Sequence, residues 1–180
     1  MFQKVNFMWV NTKLLCMNLK LLTQGQLLPQ LKESISKAEE SISIVGPWMD
    51  AYFARTVINS LIYKELQLKF IVRVDDGVID KKTLSALHLA HENLSNFQAR
   101  ALENLHSKII LLDQKIFFLG SANWYWYSLN YGIEVAVKGE IEVIPNLISE
   151  VDKYWKKSSP VDLSTVTDFD CEPVKEISHI

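Results

Sequence analysis

Residues 106–123 read HSKIILLDQKIFFLGSAN, and the reading of the rest of the chain follows from this stretch. Two apolar runs flank Asp113-Gln114-Lys115, the pattern of two strands joined by a tight turn. The expected strands cover 106–112 and 116–119. Side chains alternate along a strand, so His106, Lys108, Ile110 and Leu112 share one face, with His106 and Lys108 about 7 Å apart. A cation beside a histidine lowers its proton affinity and offers a donor to an anion. A three-residue turn would set Lys108 opposite Gly120 and His106 opposite Ala122. A two-residue turn would set them opposite Ser121 and Asn123. Either register puts Gly-Ser-Ala-Asn beside the His-Lys pair.

Each residue of that second half has a chemical reading. Gly120 allows close approach of the backbone to a ligand. Ser121 is read as a helix N-cap, whose free N–H groups would bind phosphate. Asn123 adds an amide donor. Together these groups describe a phosphate site that holds a nucleophile or base. Further on, 133–137 is expected as a strand with Glu134 on the face opposite Ile133 and Val135. A half-buried carboxylate needs a partner, and the ring N–H of His106 is the expected one.

Working outward, helical spacing marks 27–40 and 52–63, and a β-branched run closed by Gly46-Pro47 marks a strand over 42–48. Residues 66–74 alternate as a strand, and Asp80 caps a helix running to about Leu94. A short strand over 97–102 is expected. So is a final helix over 141–157 that buries Ile144, Leu147, Ile148, Val151 and Trp155. Helix–strand alternation predicts an α/β fold, a mixed β-sheet flanked by helices on both faces. The expected organisation is an N-terminal extension (1–24), a catalytic domain (25–157) and an acidic C-terminal tail (158–180).

The 180 residues are 48% apolar and 22% charged, which fits one globular domain and excludes disorder for most of the chain. Residues 158–180 carry five carboxylates against Lys175 alone, leaving the body slightly basic. That balance is far from the usual nucleic-acid footprint, so any polyanion site must be local. Cys16 and Cys171 make no disulfide framework and fit a reducing compartment. No apolar run approaches a membrane span and no signal peptide is recognisable, so a cytoplasmic setting is expected.

The string His106-x-Lys108-x4-Asp113-x6-Gly120-Ser121-x-Asn123 resembles, without a gap, the HxKx4Dx6GSxN signature of the phospholipase D superfamily. Glu134 lies where that family places its histidine-orienting acid, a looser match. The element pattern over 27–157 resembles the family's single-motif half-domain, and in length the chain is most similar to bacterial endonucleases of the Nuc type. The resemblance implies a phosphodiesterase that needs neither metal nor other cofactor. His106 would attack phosphorus to form a phosphohistidine. Lys108 and Asn123 would hold the equatorial oxygens, and a second histidine would protonate the leaving oxygen. Asp113 would be structural. None of His88, His91 and His179 begins an HxK, so the second histidine is expected from a twofold-related copy, in a homodimer with one composite site. The preferred substrate is nucleic acid, DNA or RNA. A phospholipase or phosphatidyl transferase using the same site, and a silent phosphate- or nucleic-acid-binding module, are the alternatives.

Other features have plainer readings. Trp124-Tyr125-Trp126-Tyr127 could stack bases, with Trp124 the candidate substrate contact, or could pack inward. Trp48 is read as site or core with equal weight. His88 and His91 lack zinc spacing, and Lys81, Lys82, Lys153, Lys156 and Lys157 are read as solvated helix surface.

Overall fold

The computed structural model describes residues 18–62 and 64–164. Cys16, Cys171, His179 and most of the acidic segment lie outside them. In chain order the elements are β1 (Leu19–Leu22), α1 (Leu27–Lys37), β2 (Ser41–Val45), α2 (Ala51–Ser60), β3 (Gln67–Val74), α3 (Lys81–Asn93) and β4 (Phe97–Glu103). There follow β5 (Ile109–Leu112), β6 (Ile116–Gly120), α4 (Trp126–Asn130), β7 (Ala136–Glu140), α5 (Asn146–Lys157) and β8 (Ser159–Pro160). One eight-stranded mixed sheet runs β1-β7-β6-β5-β2-β3-β4-β8. β2, β3 and β4 are mutually parallel, and every other pairing is antiparallel.

Strand alternation divides the core in two. Ile42, Ile44, Phe70, Ile110 and Phe118 face the layer built by α1, α2 and α3. Val45, Ile71, Ile109, Leu111 and Phe117 face the opposite layer, where Leu147 and Val151 of α5 cover them. A strand apolar at every position, as in Ile109–Leu112, is buried on both faces, and this one sits mid-sheet. Each large side chain buried this way contributes about 1.5–3 kcal/mol. Asp50 and Asp80 cap α2 and α3, accepting from the amides of Phe53 and Thr83 at 3.0 Å each.

α1, β2 and α2 end at Lys37, Val45 and Ser60, three residues short of the expected 40, 48 and 63, and three further boundaries also differ. β5 begins at Ile109, so His106, Ser107 and Lys108 form the approach to the strand, because the partner strand β2 stops opposite Ile109. β7 begins at Ala136 rather than 133, because Glu134 is drawn off the strand path by side-chain hydroxyls described below. The last helix starts at Asn146, after a 3-10 turn over Ile141–Val143, because Pro145 lacks the N–H a continuous helix requires. Ile144 is consequently exposed, and Trp155 is half-buried with Lys69 and Arg100 over its ring at 5.2 Å each. No helix among the described residues is long and apolar enough to cross a membrane.

Candidate functional site

Two loops at one end of the sheet are laced together before any polar chemistry is set. After β2 the chain passes Gly46 and Pro47 to Trp48, Met49 and Asp50. Met49 makes a parallel bridge with Trp124, with Trp124 N–H donating to Trp48 O (3.2 Å) and Asp50 N–H to Trp124 O (3.0 Å). The Asp50 carboxylate also accepts from Trp126 N–H at 2.8 Å. Trp124 itself is 2% exposed, stacks on Phe53 (centroids 5.4 Å apart) and donates its indole N–H to Val45 O at 2.8 Å. A Cβ on Gly46 would come within 2.3 Å of that indole, so the glycine is what admits it. The expectation that Trp124 contacts substrate is therefore corrected: a ring with both its faces and its N–H committed inside the core cannot stack on a base.

The register of the hairpin is the three-residue one, with Leu112 opposite Ile116 and Gly120 N–H donating to Lys108 O at 3.3 Å. Asp113 and Gln114 both adopt left-handed backbone, φ +54° and +52°, as a tight hairpin turn requires. The Asp113 side chain accepts backbone N–H groups of Glu39 (3.0 Å), Glu40 (2.8 Å) and Ser41 (2.9 Å). Burial alone would raise its pKa. The amides of Ser41, Glu40 and Glu39, with Lys115 nearby, outweigh that and hold it below the usual aspartate value.

His106 and Lys108 meet at the open end of the hairpin. The Lys108 ammonium, only 6% exposed as a residue, donates to His106 O at 2.9 Å and lies 3.1 and 3.2 Å from the two ring nitrogens. It can donate to whichever nitrogen lacks a proton. Burial lowers the pKa of Lys108, and the Glu134 carboxylate partly offsets this. The His106 ring is exposed and meets the Trp48 ring edge-on, centroids 5.9 Å apart at 80°. Arg73 lies over the same indole at 5.9 Å while paired with Asp75.

The Gly-Ser-Ala-Asn segment differs from its expected form in several ways. Ser121 is not a helix cap, since α4 begins only at Trp126. Its hydroxyl donates to Glu134 Oε2 and accepts from Val135 N–H (3.2 Å). Ser128 donates to the other carboxylate oxygen, Glu134 Oε1, at 2.6 Å. Glu134 is thus held by two hydroxyls rather than by the His106 ring, because Ser121 and Ser128 reach it first. Gly120 serves strand contact rather than ligand approach: a Cβ there would lie 2.5 Å from Val135 O and 2.7 Å from Ala136. Asn123 Nδ2 donates to the Tyr125 hydroxyl at 3.3 Å, while its Oδ1 is buried without a hydrogen-bond partner.

Sequence reading missed Asp50 and Ser128. An aspartate just before an apolar helical run is an N-cap signal that would have found Asp50. Nothing local marks Ser128, whose role depends on a turn of chain folding back. His88 and His91 lie on α3, with His91 against Phe97 at 6.2 Å, and no three or more His, Cys, Asp or Glu side chains cluster as metal ligands among the described residues. Chemically, the cluster offers an exposed imidazole, a buried cation in contact with it, and a carboxylate that biases the cation.

The family described as cardiolipin synthase, PLD-like domain, matches residues 31–157. No curated protein matches the chain. Among solved structures, Nuc from Salmonella typhimurium, a phospholipase D family member, is similar with TM-score 0.67 and 14% identity, covering 80% of this chain and 99% of that one. NucT from Helicobacter pylori is similar with TM-score 0.67 and 21% identity, covering 81% and 99%. Phosphatidylserine synthase from Haemophilus influenzae is similar with TM-score 0.61 and 13% identity, over 81% of this chain and 40% of that one. At these identities the structures speak for the fold.

Proposed function

Because the chain belongs to the PLD-like domain family, whose match spans residues 31–157, we propose that it is a metal-independent phosphodiester hydrolase acting on nucleic acid. The observation that carries this reading is the Lys108 ammonium within 3.2 Å of both ring nitrogens of an exposed His106. A buried cation with a lowered pKa is poorly solvated, so an arriving phosphate is its better partner. Once the phosphate takes Lys108, the His106 lone pair is released to attack phosphorus in line with the leaving oxygen. The imidazole forms the P–N bond as the P–O bond breaks, and water later cleaves the P–N bond. Lys108 and the Asn123 amide, swung from Tyr125, stabilise charge on the non-bridging oxygens. Glu134 acts on Lys108 through its field rather than on the ring.

The leaving oxygen needs a proton donor, and one chain offers a single HxK histidine. The proposed site is therefore completed by His106 of a second copy in a homodimer. Nuc and NucT, each covered over 99% of its length, share this fold at the same compact size. A phospholipid substrate is the second reading, favoured by Ile133 (95% exposed), Val135 and Tyr131, an apolar rim beside Glu134.

The test is incubation with single- and double-stranded DNA and RNA in excess EDTA, beside anionic liposomes. Cleavage that vanishes in His106→Ala, with phosphohistidine trapped at alkaline quench as a base-stable, acid-labile adduct, is expected. Cleavage surviving that substitution, or headgroup release without strand cleavage, overturns the nuclease reading.

A further inference from the structure

Beside the His106 cluster lies a groove of about 430 Å³, within the size range of small-ligand sites. Its walls include Trp48, Tyr125, Trp126 and Tyr127, and Lys82 stands at its rim. Two of these walls also belong to the candidate site. Trp48 meets the His106 ring at 5.9 Å, and Tyr125 accepts from Asn123 at 3.3 Å. The groove is therefore separated from His106 and Asn123 by one shared side chain on each side, Trp48 and Tyr125.

The character of the walls selects an occupant. Four aromatic plates with polar edges suit a flat heteroaromatic ring, while an acyl chain prefers aliphatic walls, and the one aliphatic lining residue, Met49, is 1% exposed. Both carboxylates in the lining are already engaged. Asp50 accepts from Phe53 and Trp126, and Asp80 from Thr83, so both carboxylates are turned onto backbone donors. Trp126 is braced from behind by Tyr131 at 4.8 Å, which fixes its plane. Lys82 lines the groove, and Arg73 lies over Trp48 while paired with Asp75. We infer that this groove is a nucleobase subsite flanking the scissile phosphate, and that the substrate is single-stranded. Paired bases have both faces stacked inside a duplex and cannot enter. The inference rests on the phosphodiesterase reading and names its substrate class.

The experiment compares oligothymidylate with an abasic strand of equal length and with a duplex, using wild type, Trp126→Leu and Tyr127→Ser. Stacking of one base predicts that wild type cleaves oligothymidylate with kcat/KM at least about tenfold above the abasic strand and the duplex. Each variant should bring that ratio down to about two. Tyr127 is 61% exposed, so its variant keeps the test alive should Trp126→Leu fold poorly. Oligothymidylate should also quench tryptophan fluorescence in a His106→Ala background, and less so once Tyr127 or Trp126 is replaced. A wild-type ratio near one, a ratio unchanged in both variants, or quenching by phosphatidylglycerol vesicles in place of the oligonucleotide overturns the subsite. Base-dependent quenching without cleavage of any strand upholds the subsite and sinks the nuclease reading instead.

Discussion

At the turn of the β5–β6 hairpin, Asp113 has its carboxylate filled by three backbone N–H groups and its pKa held low. At the open end of the same hairpin, Lys108 is buried with its pKa also lowered, which for a cation means it is held against its preference. Asn123 Oδ1 there has no partner at all. One short motif thus contains an end satisfied by folding and an end left wanting. Groups whose needs the fold meets add stability, and groups whose needs it leaves open are available to a ligand.

The largest effect is expected from His106→Ala. It should lower kcat/KM for strand cleavage by about 10⁶-fold, the scale of a lost nucleophile, with the melting temperature nearly unchanged because the ring is exposed. A large drop in melting temperature would show that the open end is structural after all. Lys108→Met should cost about 10²- to 10³-fold in turnover and yet raise stability near pH 7. The sign follows from the lowered pKa. The folded state binds the Lys108 proton more weakly than the unfolded chain, so the penalty is full below the folded pKa. It fades as pH climbs toward the unfolded value of about 10.4, and denaturant titrations of both proteins should converge there.

Asp113→Ala should do the reverse. It leaves three amides without their acceptor and should cost about 2 kcal/mol, a figure held down because the Glu39 and Glu40 amides can reach water. Folded Asp113→Ala protein should keep its turnover within about threefold. The wild-type advantage is present above the unfolded aspartate pKa of about 3.9 and is lost as pH falls through the lower folded value, so acid titration should erase the gap. Ser128→Ala is the mildest case: it frees one oxygen of Glu134 and should lower kcat about tenfold with KM held, read by steady-state kinetics.

What was legible in the sequence was what local chemistry writes. Period-two alternation marks Gln67–Val74, the aspartate before Lys81–Asn93 marks its start, and the apolar run Ile109–Leu112 marks a central strand. The proximity of His106 to Lys108 followed from their spacing, even though both precede the strand. The rest depends on partners distant in sequence. Glu134 finds Ser121 and Ser128, and Trp124 finds Val45 O and the missing Cβ of Gly46. A carboxylate or an indole states that it needs a partner, but its own neighbourhood does not name which hydroxyl or carbonyl will answer. Gly120 was misread for the same reason, since a glycine that admits a ligand and one that admits a neighbouring strand look alike in one dimension.

The sheet begins and ends with β1 and β8, so residues 18 and 164 leave from opposite rims of the molecule. Eight strands span seven gaps, on the order of 33 Å. A circular permutant joining those two points would need a bridge of at least about ten extended residues, and a shorter bridge would peel away whichever rim strand is held less firmly. Two-residue β8, pinned by Arg100 on Ser158 O, and four-residue β1 would compete for that fate.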